Sequence, residues 1–88
     1  MADFFLIYVR PRQGVLQAQV QDKMNLARDW FRFDPNVWIV FSTSDEGKWY
    51  ARLAPLVRQN GAVFICRLDI ARSQGWFSKE LWLWIRSK

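Results

Sequence analysis

The chain has 88 residues, 51% of them hydrophobic and 17% aromatic, with a formal net charge of +5 and an isoelectric point near 10.0. That length allows one domain, residues 1–88, around one core that buries roughly 60–70% of the surface exposed by the unfolded chain. Histidine is absent and there is a single cysteine, Cys66. This excludes a His general base, a Cys-His pair, a Ser-His-Asp triad, a Cys cluster, an ordinary His-containing zinc site and an internal disulfide.

In chain order, Phe4–Val9 is an apolar run of strand formers ended by Pro11 and Gly14, and predicts a strand buried on both faces. Leu16, Val20, Met24, Ala27 and Phe31 recur at helical spacing, so a first helix is expected from about Val15 to Asp29, with continuation to Phe31 as the alternative. Trp30–Phe33, the turn Asp34-Pro35-Asn36 and Val37–Ser42 predict a hairpin. A second helix begins at Ser44 or Asp45 as N-cap, presents Trp49, Leu53, Leu56 and Val57 to the core, and stops at Asn60-Gly61. Pro55 should kink or restart it.

Ala62–Ile70 predicts another strand, with Cys66 a small core residue. In the tail, Ser78 suits the cap of a short helix turning Leu81, Trp82 and Ile85 inward. Leu81, Leu83 and Ile85 also alternate as a strand would. The order strand, helix, strand pair, helix, strand predicts an α+β sandwich of the ferredoxin-like βαββαβ type. Its antiparallel sheet carries two helices on one face, followed by a C-terminal tail. Helices cover only one face of such a sheet, so the apolar residues of the other require a second covering, most simply a homo-oligomer.

The four glycines are isolated, so there is no phosphate-binding glycine loop. The remaining catalytic chemistry is a carboxylate with a hard metal. Most acids have a plain role, Asp34 in a turn, Asp45 and Glu46 at a helix start, Asp22 and Glu80 on solvated helix faces, and Asp69, after the last strand, is the one candidate ligand, although it lacks a paired acid. The arginines are more suggestive. Arg10 and Arg12 follow the first strand, Arg28 and Arg32 flank the hairpin, and Arg67 and Arg72 flank the end of the last strand. One rim could thus gather guanidinium groups against phosphates, with Arg10, Arg12, Arg32, Arg67 and Arg72 as the contacts. Trp30, Phe31 and Phe33 lie among them as candidates to stack on bases. The competing reading is dispersed arginines and core aromatics. No run approaches the roughly 20 apolar residues of a membrane span, and no secretory leader is legible, so a cytoplasmic protein is expected.

The segments "LIYV", "NVWIVFSTS", "WYARLAPLV", "AVFICRLD" and "GWFSKELWLWI" together resemble the small ferredoxin-like CRISPR-associated proteins of the Cas-two type and their Cas-two-like relatives. The resemblance implies a homodimer packed through sheet faces, with the tail tryptophans Trp76, Trp82 and Trp84 at the dimer or partner surface. Nuclease members of the family carry an aspartate directly after the aromatic that ends strand one, and here Val9 follows Tyr8. A valine cannot ligate magnesium. The expected protein is therefore non-enzymatic, without metal or cofactor, and binds RNA, DNA or a protein partner through its arginines. The alternatives are a metal-dependent ribonuclease with a displaced acid such as Asp69, or an antitoxin-like regulatory module that binds protein alone.

Overall fold

A computed structural model describes residues 1–88. The chain forms β1 (Asp3–Arg10), α1 (Gln17–Met24), β2 (Asp29–Asp34), β3 (Val37–Ser42), α2 (Glu46–Val57), β4 (Ala62–Leu68), a 3₁₀ turn (Ile70–Arg72) and α3 (Lys79–Arg86). The class is α+β: one four-stranded antiparallel sheet in the order β2-β3-β1-β4, with three helices. No helix is long and apolar enough to cross a membrane.

The period of two along the strands divides their side chains between an inner and an outer face. On the inner face, Phe5, Ile7 and Val9 of β1 pair beside Trp38 and Val40 of β3. They close a core with Val20 and Met24 of α1 and Trp49, Leu53, Leu56 and Val57 of α2. Trp49 is fully buried, yet its indole N–H donates to Ser42 Oγ at 3.2 Å, so this polar atom enters the core satisfied.

The second helix forms as its residues require. Asp45 accepts the Lys48 backbone N–H at 2.9 Å as N-cap, Glu46 lies in the first turn, and Trp49, Leu53, Leu56 and Val57 repeat at helical spacing. It runs through Pro55 to Val57 without restarting: the proline forfeits the one hydrogen bond to the carbonyl four residues back, and only two helical residues lie beyond it to be displaced. Gln59, with φ of 82°, then turns the chain before Asn60 and Gly61.

Three expectations are corrected. The first helix spans Gln17–Met24 rather than Val15–Asp29. Its end is tightened by Leu26 N–H to Lys23 O and Ala27 N–H to Met24 O, and Arg28 N–H already donates to Phe41 O of β3. Ala27 packs on the core from a loop and Phe31 belongs to β2, so the helical spacing there joined three separate elements. Leu16 precedes the helix and is exposed.

Secondly, β1 is fully buried only on its inner side, since Phe4, Leu6 and Tyr8 are half-buried. Thirdly, Cys66 is exposed. It pairs with Leu6, and so lies on the outer face of an edge strand, away from the core under α1 and α2.

The tail is a helix rather than a strand. Ser78 accepts the Leu81 N–H as N-cap, Leu81 is buried, and Trp82 and Ile85 are half-buried. It lies against β2 on the outer face: the Trp84 ring sits 5.9 Å from both Phe4 and Phe31, while Phe77, just before the helix, meets Phe33 edge-on at 4.8 Å.

Candidate nucleic-acid interface at one end of the sheet

Successive elements of this chain alternate in direction, and that alternation decides which arginines can meet. The ends of β1, β2 and α2 share one end of the sheet, and β4 runs antiparallel to β1 and ends at the other. Arg10 pairs with Ala62 at the start of β4, whereas Phe4 pairs with Leu68 at its end. Arg67 and Arg72 therefore lie at the opposite end from Arg10 and Arg12. The structure does not collect the five sequence candidates on one rim.

The far end holds both paired and unpaired cations, since Arg28 just before β2 and Lys48 in the first turn of α2 are exposed and form no ion pair. Arg67 bridges Asp3 at 3.5 Å and Glu46 at 3.0 Å and lies over the Phe5 ring, while Arg72 pairs with Asp69 at 3.7 Å. Asp29 at that end receives both the Trp84 indole N–H and the Lys88 ammonium. The Lys88 hydrogen bond holds the Asp29 carboxyl below its ordinary range. Partial burial opposes this, while the Trp30 backbone N–H and the Trp84 indole N–H add to the lowering.

Arg32 is a clamp for its own hairpin. It donates Nη2 and Nε to Pro35 O at 2.6 and 3.2 Å and stacks 5.0 Å from the Trp38 ring. A bulge between Arg32 and Asp34 accompanies the two-residue connection.

The loop after β1 is docked on the end of α2. Arg12 donates its backbone N–H to Leu56 O at 2.7 Å and its Nε to Pro55 O at 3.3 Å, and Gln13 N–H donates to Asn60 Oδ1 at 3.1 Å. Carbonyls at a helix C-terminus lack partners within the helix and carry partial negative charge, so an arginine is well placed there.

Gly61 makes the approach possible. A Cβ at this position would stand 2.5 Å from Arg10 O, 2.8 Å from Val57 Cα and 2.9 Å from Arg12 N, all backbone atoms. Arg58 immediately follows Val57. Three exposed arginines, Arg10, Arg12 and Arg58, thus converge on one end of the sheet, and none of them forms an ion pair.

Arg58 was not among the candidates from sequence. Counting element directions would have found it, because the first and fifth elements of this order end on the same side. The tail tryptophans separate likewise: Trp84 is bonded to its own chain's Asp29, Trp82 is half-buried, and only Trp76 is fully displayed. Of the proposed stacking residues, Trp30 packs edge-on against Trp38 and donates to Asn25 Oδ1, Phe31 lies under Trp84, and Phe33 meets Phe77.

No group of three acid or cysteine side chains is arranged to hold a metal ion, and no pocket indents the surface. Val9, at the position where the family resemblance implies an acid, is buried in the core opposite Val63. Comparison with known protein families, curated proteins and solved structures returns no match.

Proposed function

We propose that this chain is a non-enzymatic, Cas-two-like protein of ferredoxin-like fold that binds nucleic acid through the arginines at the shared end of β1 and α2. The single observation that carries this reading is the clustering of Arg10, Arg12 and Arg58 around Gly61 without an acidic partner, while at the opposite end Arg67, Arg72 and Lys88 are ion-paired and Arg28 is left unpaired. Forked guanidinium groups lacking carboxylates are suited to phosphate oxygens.

Support for the fold assignment comes from the order β2-β3-β1-β4, which places β3 between the ends of the first helical crossover and β1 between those of the second. Val9 in the core, and Asp69 engaged by Arg72 rather than by a second acid, favour binding over metal-dependent hydrolysis.

The test is a titration with labelled single- and double-stranded RNA and DNA at two salt concentrations, with and without Mg²⁺. Binding that weakens with salt and leaves the strands uncut is expected. Salt-insensitive binding or none would reject the reading, and Mg²⁺-dependent cleavage abolished in Asp69→Asn would replace it with the nuclease alternative.

A further inference from the structure

Next to the arginine end, the outer face carries a pair of aromatics that α3 does not claim. Tyr8 and Phe64 are direct cross-strand partners on β1 and β4. Phe64 is 62% exposed although it stands in the middle of a strand, and Tyr8 is half-buried. Alternation places Arg10 on the same face, two residues beyond Tyr8. Two cross-strand aromatics thus stand beside Arg10 on the outer face, at the end of the sheet that also carries Arg12 and Arg58.

We infer that Tyr8 and Phe64 form a stacking platform for the bases of a single-stranded nucleic acid whose phosphates run toward Arg10, Arg12 and Arg58. This rests on the proposed phosphate contacts and adds the class of strand that they serve. Bases within a duplex are stacked on one another and cannot lie flat on a protein ring, whereas unpaired bases can be splayed onto aromatics on a sheet. Sequence reading placed the stacking function on Trp30, Phe31 and Phe33, and the structure uses all three internally. Charge complementarity favours this occupant over a second copy of the chain, which would bring its own net charge of +5 and the same unpaired arginines to the patch.

Cys66 supplies the probe. It is the sole cysteine, is exposed, and lies on the same face two residues from Phe64. The rate of its reaction with a thiol reagent is measured in the presence of oligo-dT, oligo-U and a duplex of equal length, alongside affinities for wild type, Phe64→Ala and Tyr8→Leu.

Single strands are expected to slow the Cys66 reaction, and either substitution to weaken single-strand binding by about fivefold or more while duplex binding stays unchanged. Single-strand affinity unaltered by both substitutions would overturn the platform and leave the arginine contacts standing. Absence of all oligonucleotide binding at low salt would remove both. A Cys66 reaction that is slow without nucleic acid and quickens on dilution would overturn the platform in favour of a second copy covering this face.

Discussion

The two faces of the sheet are built from the same strands and do different work. Under α1 and α2, Ile7, Trp38, Val40, Trp49 and Leu53 are wholly buried. On the other side α3 shelters only part of the sheet: Leu81 is buried, Trp82 and Trp84 are half-buried, and Phe64 and Cys66 face solvent. The alternation that gives every strand two apolar sides supplies stability on one face and leaves apolar side chains open to solvent on the other. Aromatic content alone does not distinguish them; the partner element does.

The sharpest way to break that comparison is to remove a large side chain from each face. Trp49→Ala should cost about 3–5 kcal/mol, because it leaves a void between α2 and the sheet and removes one of the two hydrogen bonds that Ser42 Oγ accepts. Trp84→Ala should cost about 1–2 kcal/mol, because the helix it anchors is already partly wet. Urea denaturation of both variants measures the pair, and equal costs would mean that the outer face is as much a core as the inner one.

Between these lies Gly61→Ala, expected to cost about 1–3 kcal/mol, since its methyl group must push the backbones of β1 and α2 apart. It should also weaken nucleic-acid binding, because Arg10, Arg12 and Arg58 move with those backbones. Reduced stability with unchanged binding would show that the three arginines do not act as one site.

The smallest effect is expected at Asp29. Its carboxyl in the folded chain titrates below the ordinary value of 3.8, so its contribution is fully present above that value and disappears as pH falls through the lowered one. With the side chain 43% exposed, solvent screening limits the pairing with Lys88 to about 1 kcal/mol or less. Asp29→Asn should therefore lower Tm slightly at neutral pH and leave it unchanged in strong acid. A deficit that persists in acid would locate the effect in packing against Trp84 rather than in charge.

Much of the fold was legible because its signals were local. Asp45, the apolar face of α2, the Asp34-Pro35-Asn36 turn and the Ser78 cap each name their element within a few residues. The boundary of α1 was not legible, since Ala27 and Phe31 serve the chain from a loop and a strand yet fall at helical spacing. Nor was the exposure of Cys66, which depends on how far α3 extends over the sheet. The candidate site was half legible: Arg10 and Arg12 could be named from the end of β1, but Arg58 and the separation of Arg67 and Arg72 follow only from antiparallel directions. The roles of Trp84 and Arg32 as internal ties depend on Asp29 and Pro35 being brought within hydrogen-bonding distance.

The most direct measurement is the salt dependence of single-strand affinity for wild type, a double variant Arg10→Glu/Arg58→Glu, and a matched control Arg72→Glu at the opposite end, where Arg72 is ion-paired. If the unpaired end binds phosphates, the double variant should bind far more weakly, and its slope of log K against log salt should flatten by roughly 0.7 for each phosphate no longer neutralised, with the control near wild type. Equal weakening at the two ends, or an unchanged slope in the double variant, would contradict it and return Arg10 and Arg58 to the role of solvated charges at a turn and a helix end.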